Sequence, residues 1–462
     1  MNTNQFDLIV IGAGPGGYVA ALAAARGGMK VAVCERDTVG GTCLAHGCIP
    51  TKTLLHTAEL YHQVLGSADR GLESAGLSVN MDKLQDEKNE VVQTLSDGIQ
   101  SQFKRAKIAL YTGEAQIIET GEVKTVRIGE ECLQSPRVLI ATGTEPVRLR
   151  LPGMDLDGVM DSTALLELRE IPQSITIIGG GVIGMEFASL YAALGTKVTV
   201  IEALDRILAT LDREFGQSLR LLLKKQGVDI HTGASLREIR REQTDDGEML
   251  HCYYVEKDVE YKVPSDIVLV AVGRRPQAAK LFVNQNQLPD MDRGYLKADD
   301  RYQTSIPGIY AIGDVIGGIQ LAHVASAEGE NAVAAMLGKE APFRMDVVPS
   351  CVYTDPEIAT VGLAVEEAKA SGIDAVQVKY VMGANGKTVL THQERSFIKI
   401  VAEKSTGRLL GAHMMCARAT DMIGEFSAAI ANGFTVQQLA TAIRPHPTFN
   451  EAIGEALRSF GE

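Results

Sequence analysis

The stretch Phe6-Asp-Leu-Ile-Val-Ile-Gly12-Ala-Gly14-Pro-Gly16-Gly17 decides the fold. Phe6 to Ile11 is a short apolar run that reads as a buried strand, and the glycines after it form a tight turn. Ala20 to Arg26 reads as a helix of small residues, and Lys30 to Cys34 as a second strand that ends at Glu35. A strand, a glycine turn and a helix with an acidic residue about 20 positions further on make a dinucleotide-binding βαβ unit. The glycines admit backbone N–H groups to a pyrophosphate at the helix N-terminus, and the carboxylate takes a ribose hydroxyl.

The pattern occurs a second time from Ser174 to Glu202. Ile175 to Ile178 is the strand, Gly179-Gly-Gly181-Val-Ile-Gly184 the turn, Met185 to Leu194 the helix, and Lys197 to Ile201 the next strand, ending at Glu202. Two dinucleotides are therefore expected on one chain. Glu202 favours an unphosphorylated ribose, hence NAD over NADP, with Arg206 the one nearby base. Leu139-Ile-Ala-Thr142-Gly143 is a strand running into a second glycine turn, which alone reads as a plain strand end, and the apolar run from Ile267 to Val272 is followed by Gly273. A third nucleotide contact is expected at Gly313-Asp314, ahead of a helix from Ala322 to Leu337. Asp314 also reads as a surface residue in a turn.

Between the first unit and the remaining chain lies Gly40-Gly-Thr42-Cys43-Leu-Ala-His-Gly-Cys48-Ile-Pro-Thr-Lys52. In a regular helix, residues five apart are rotated by about 140° and shifted by roughly 7.5 Å. A disulfide brings its Cβ atoms to about 3.8 Å. Bridging Cys43 and Cys48 thus needs an irregular turn, for which Gly47 gives the backbone freedom. Pro50 suits the first turn of a helix, so Cys48 falls at the positive end, where a thiolate is stabilised. The pair reads as a redox-active dithiol, as two unpaired core cysteines, or as half of a zinc site.

The chain has 462 residues, a hydrophobic fraction of 45% and a net charge of −13. That length calls for two to four domains, and the acidic balance argues against nucleic acid and favours the cytoplasm. Seven dispersed cysteines do not make a secreted disulfide framework. No run approaches the ~20 apolar residues of a membrane span, and no leader precedes the first strand, so neither membrane nor export is expected. Leu54 to about Lys107 reads as helical with Asp82 to Glu90 as a solvated face, and Ala109 to Ile140 as a β-meander. From Pro349 onward strands (Phe397 to Ala402, Leu409 to Met415) mix with helices (Asp421 to Ala431, Val436 to Ala442) and no nucleotide loop occurs. Near the end, His446 stands between Pro445 and Pro447, with Glu451 placed to fix its tautomer. Alone, such a histidine is more often a turn residue than a catalyst.

Taken together, these features resemble the pyridine nucleotide–disulfide oxidoreductases over essentially the whole chain, and within them the branch that acts on dihydrolipoyl groups. The matching pieces are the cysteine stretch, Ala141-Thr-Gly143, Gly313-Asp314, Leu321-Ala322-His323, and His446-Pro447-Thr448 with Glu451. The resemblance implies an α/β fold with two Rossmann-like domains, for FAD and NAD, and an α+β C-terminal dimerisation domain. The implied boundaries are 1–148 (FAD, with the dithiol), 149–270 (NAD), 271–345 (FAD, second part) and 346–462 (interface).

It further implies FAD on Gly12, Gly14, Gly16, Gly17, Glu35, Thr42, Lys52, Thr142, Gly143, Gly313, Asp314 and Ala322. NAD is implied on Gly179, Gly181, Gly184, Glu202 and Gly273. Cys43 is the implied interchange thiol, Cys48 the thiol facing the flavin, Lys52 and Glu186 an ion pair beside it, and His446, from a second copy in a homodimer, the acid–base held by Glu451. No metal ligand is assigned. The implied substrate is a dihydrolipoyl group carried on another protein, since the first strand opens the chain. The alternative is an NADH-dependent reduction of another disulfide, a quinone or a metal ion. Ala45-His46, Arg444 and Gln277 depart from the pattern usual in that branch.

Overall fold

The computed structural model describes residues 3–73, 75–244 and 247–461, so Met1 and Glu462 lie outside it. The first apolar run becomes the strand Leu8–Ile11, central in a five-stranded parallel sheet. Its neighbours are Val31–Glu35 and Val138–Ile140, with Ala109–Thr112 and Ile309–Ala311 outermost. Every residue of Leu8–Ile11 is buried, as a parallel strand covered on both faces must be. The helix Pro15–Arg26 crosses one face and packs against Ala322–Met336. That contact is close because Gly16 and Gly329 have no side chains: a Cβ at Gly329 would lie 2.7 Å from the Gly16 carbonyl oxygen.

The second sheet repeats the design with the parallel order Val159–Met160, Ile267–Val270, Ser174–Ile178, Lys197–Glu202, Asp229–Thr232. A three-stranded antiparallel layer, Ala234–Thr244, Gly247–Glu256 and Val259–Ser265, lies beside it. The C-terminal part is a five-stranded antiparallel sheet backed by Ala419–Ala431 and Glu451–Arg458.

Three expectations need correction. The helical region from Leu54 to Lys107 is two helices, Cys48–Leu65 and Met81–Arg105, parted by a segment in which Gly71 and Gly76 take positive φ. The charged stretch from Asp82 to Glu90 is not a solvated face throughout. Lys88 is 1% exposed and donates to the Leu166 carbonyl and the Glu167 carboxylate, both at 2.8 Å, while Gln85 donates to the Leu166 and Leu168 carbonyls. Periodicity does not distinguish these residues from solvated ones, because their partners are backbone carbonyls of a distant segment. The β-meander is confined to Ala115–Thr120, Lys124–Ile128 and Glu131–Ser135. The flanking strands Ala109–Thr112 and Val138–Ile140 belong to the first parallel sheet.

The second sheet is docked to the C-terminal one through a buried charge cluster. Lys399 Nζ lies 2.7 Å from Asp212 and 2.9 Å from Glu214, beside the stacked rings of Phe215 and Phe397. Burial alone would raise both carboxyls, but hydrogen bonds from Lys399 and, at Glu214, Lys379 outweigh it and hold them below the usual range. Their contribution to stability is therefore present above the unfolded carboxylate pKa of about 4 and lost as pH falls through the lower folded values. Lys399→Met strands the half-buried carboxylates, and an expected loss of about 3 kcal/mol at pH 7 follows. Thermal unfolding measured from pH 7 to pH 3 should show the two proteins converging in acid. A constant gap would mean that Lys399 acts by packing alone.

Candidate active site

Both glycine turns open on one cavity of about 1690 Å³, and the redox stretch lies on its wall. The two turns are built alike. Gly12 has φ +100° and Gly179 has φ +113°; at each, a Cβ would stand 2.4 Å from a carbonyl oxygen, of Ala141 and Ala271 respectively. At Gly17 and Gly184 a Cβ would fall 1.9 and 2.0 Å from the carbonyl oxygens of Gly12 and Gly179. Gly14 and Gly181 cap the two helices in extended conformation; a Cβ at Gly181 would project into open space, and one at Gly14 would meet only the Gly41 Cα, at 4.0 Å. Thus Gly12 and Gly179 make the turn, Gly14 and Gly181 admit a ligand, and Gly17 and Gly184 seat helix on strand.

Gly17 and Gly184 do not line the cavity, so their place in the contact set is corrected to a packing role. Gly16 touches the cavity, but its missing side chain makes room for Ala325 and Ile312. Glu35 and Glu202 both line the cavity, and each carboxylate is tied into its own loop. Glu35 accepts from the N–H groups of Ala13 (2.6 Å) and Asp37 (2.9 Å), Glu202 from those of Gly180 and Leu204. Arg206 donates to the Ala209 carbonyl.

Asp314 is not a surface turn residue. It is largely buried, which raises its carboxyl, while a hydrogen bond from Thr144 at 3.0 Å and the nearby Arg274 pull the other way. Arg274 also donates to the Thr144 hydroxyl and carbonyl, and Glu328 accepts from the Gly313 N–H at 2.6 Å. Thr144, Arg274 and Glu328 were not singled out in the sequence, since each acts through a partner that only the fold supplies. Thr142 Oγ1 is buried without a hydrogen-bond partner, although Thr142 lines the cavity with Gly143, Gly273 and Ala322.

In the redox stretch, the short helix Gly41–Ala45 ends at His46, whose N–H donates to the Thr42 carbonyl. The chain then bends at Gly47, where a Cβ would stand 2.9 Å from that same Thr42 oxygen. Helix Cys48–Leu65 starts at once, with Cys48 as its first residue. The irregular turn brings the two thiols into hydrogen-bond contact and makes them unequal. The hydrogen bond from Cys43 and the charge of Lys52 hold Cys48 down at about 7 against the opposing effect of burial. The same bond, with burial, pushes Cys43 up.

Lys52 reaches Glu186 of the second unit at 2.7 Å, across a sequence gap of 134 residues. Glu186 is buried and accepts from the Tyr353 N–H at 3.0 Å, while Lys52 lies 4.6 Å from the Tyr353 ring centroid. Tyr353 belongs to the C-terminal part, so this clamp joins the first unit, the second unit and the C-terminal part, and no local pattern marks it.

His446 and Glu451 are not part of this cavity. His446 Nδ1 lies 2.8 Å from Glu451, which also accepts from the Thr448 N–H at 2.9 Å, and the histidine side chain is 76% exposed. Glu451 is held below the usual carboxylate range by the Thr448 N–H and by His446.

Among curated proteins, the chain is similar to a dihydrolipoyl dehydrogenase of Bacillus subtilis, 41% identical over 98% of this chain and 97% of the relative. It is 36% identical to the dihydrolipoyl dehydrogenase of Geobacillus stearothermophilus, over 98% and 95%. Among solved structures, it resembles the HOCl-induced flavoprotein disulfide reductase RclA of Escherichia coli, as a Cu(II) complex, with a TM-score of 0.86 and 29% identity over 99% of both chains. LpdA of Mycobacterium tuberculosis superposes with a TM-score of 0.90 at 26% identity, over 98% and 99%. Residues 6–329 match the family model described as pyridine nucleotide-disulphide oxidoreductase, and residues 348–457 match its dimerisation domain. Two dinucleotide turns and an unequal thiol pair around one cavity, with likeness along almost the full length, have one common explanation: the chain belongs to the pyridine nucleotide-disulphide oxidoreductase family.

Proposed function

We propose that the chain is an FAD-dependent enzyme, working as a homodimer, that oxidises dihydrolipoyl groups to the lipoyl disulfide and reduces NAD to NADH. The observation that carries this is the inequality of Cys43 and Cys48 on the wall of a two-dinucleotide cavity. The likeness to dihydrolipoyl dehydrogenases supports the substrate. The cavity suits the cofactors: it exceeds the ~300–1,000 Å³ usual for one small ligand, Gly14 and Gly181 leave room, and Thr142 Oγ1 awaits a partner. FAD would be held by Gly12, Gly14, Glu35, Thr42, Thr142, Gly143, Gly313, Asp314 and Ala322, with Lys52 alongside. NAD would be held by Gly179, Gly181, Glu202 and Gly273. When bound, FAD supplies a two-electron relay between the dithiol and NAD.

The residues of the chain perform the sulfur chemistry. A substrate thiolate attacks Cys43 Sγ of the Cys43–Cys48 disulfide, the S–S bond breaks, and Cys48 leaves as thiolate. A thiol of low pKa leaves faster, so the depressed Cys48 suits this role. The second substrate sulfur then displaces Cys43, closing the substrate disulfide. His446 takes the proton of the first attacking thiol and returns it to the departing Cys43, then takes the proton of the second substrate thiol and holds it as imidazolium while Cys48 remains a thiolate. Since His446 faces away from its own chain's cavity, we assign it to the site of a second copy, joined through the dimerisation domain. The domain boundaries at 148/149, 270/271 and 345/346 are proposed on the same grounds.

Among the described residues no helix is long and apolar enough to cross a membrane. The dispersed cysteines suit a reducing compartment such as the cytoplasm, and the substrate carrier is a lipoyl-bearing protein or domain.

An anaerobic titration with dihydrolipoamide, followed by NAD, tests the proposal. A long-wavelength thiolate–flavin absorbance on the first addition and NADH on the second are expected. If NADH produces the band and dihydrolipoamide does not, the substrate is wrong, and the likeness to RclA directs the search to other disulfides.

A further inference from the structure

On the lip of the cavity, outside the residues assigned above, His46 Nε2 lies 2.7 Å from Asp37 Oδ2. Both side chains line the cavity. Such a pair in open water contributes little. This one joins two parts of the site. The Asp37 N–H donates to Glu35, the acidic residue that ends the first dinucleotide turn, at 2.9 Å. His46 closes the helix that carries Cys43 and precedes the Gly47–Cys48 bend. One hydrogen-bonded pair therefore ties the end of the first dinucleotide unit to the loop that sets the two thiols. Their exposure, 34% for His46 and 59% for Asp37, is in part exposure to the cavity, so a dinucleotide filling it removes water from the pair and strengthens it.

We propose that His46 and Asp37 form a clasp that couples dinucleotide occupancy to the geometry of the Cys43–Cys48 loop, acting as positioning residues. The inference rests on the reading that FAD lies on the first turn. If occupancy tightens the pair, then breaking the pair must loosen FAD by the same factor. The two residues act as one device, so their effects should not multiply.

The test uses holoprotein purified with FAD, in wild type, Asp37→Ala, His46→Ala, the double variant and His46→Gln, which keeps an N–H for Asp37. FAD release is followed by recovery of flavin fluorescence on dilution into mild urea. Each single variant should release FAD about fivefold faster, the double variant no faster than either, and His46→Gln near the wild-type rate. The dithiol–disulfide equilibrium against a lipoamide couple should move at least twofold, in the same direction, in both alanine variants. Unchanged release, multiplying effects, or altered release with an unmoved dithiol equilibrium would each overturn the clasp. A wild-type protein that holds no FAD would overturn the parent reading as well, and wild-type turnover separates that failure from the others.

Discussion

Cys48→Ser is expected to take turnover with dihydrolipoamide to background, at least about 10⁴-fold below wild type, the scale on which loss of a covalent group acts. Without the Cys48 sulfur there is no disulfide to receive the substrate's electrons, however well the cofactors bind. Cys43→Ala should be as inactive, for a different reason: Cys48 survives but loses the hydrogen bond that most lowers its pKa. The two variants then separate in the titration of the remaining thiol. In reduced wild type, Cys48 should lose its proton with a midpoint near about 7, as Cys43 and Lys52 dictate. In Cys43→Ala the midpoint should rise, and in Lys52→Met it should rise as well, because burial is then opposed by fewer favourable partners. Thiolate absorbance in the ultraviolet reads this directly. A Cys48→Ser protein with more than about 1% of wild-type turnover would remove the dithiol from the reaction.

The parts of this site that are local in sequence are legible there, and those that are not share a cause. Gly12 and Gly179 are visible because a turn at positive φ against a carbonyl oxygen demands glycine, and that demand is met within a few residues. Cys48 at a helix start is visible because Gly47 and Pro50 punctuate it. By contrast, Tyr353 lies 167 residues from the Glu186 carboxylate it donates to, and Thr144 lies 170 from Asp314. No periodicity reports such a pairing. Lys88 shows the converse error: charge predicts water, but the fold brings the Leu166 carbonyl and Glu167 to it instead. The glycines at 17 and 184 show a third kind. Their spacing is that of a ligand loop, yet the steric demand comes from the carbonyl oxygens of Gly12 and Gly179, and only the distances tell the two apart.

His446→Gln is expected to lower turnover with dihydrolipoamide by about 10²–10⁴-fold, the usual worth of a positioned acid–base group. Reduction of the flavin by NADH should continue near the wild-type rate, because no proton passes through His446 in that half of the reaction. Glu451→Gln should fall between wild type and His446→Gln, since it keeps a partner for Nδ1 but removes the charge that fixes the ring and accepts from Thr448. The separation of His446 from its own cavity makes a sharper test possible. His446→Gln and Cys48→Ser chains, each inactive alone, are unfolded together and refolded as a mixture. If the histidine serves the other copy, each hybrid dimer contains one complete site: the cysteines of the His446→Gln chain and the histidine of the Cys48→Ser chain. Random pairing then restores about a quarter of wild-type activity. If the histidine serves its own chain, every hybrid site lacks either a sulfur or the base, and the mixture remains as inactive as its components.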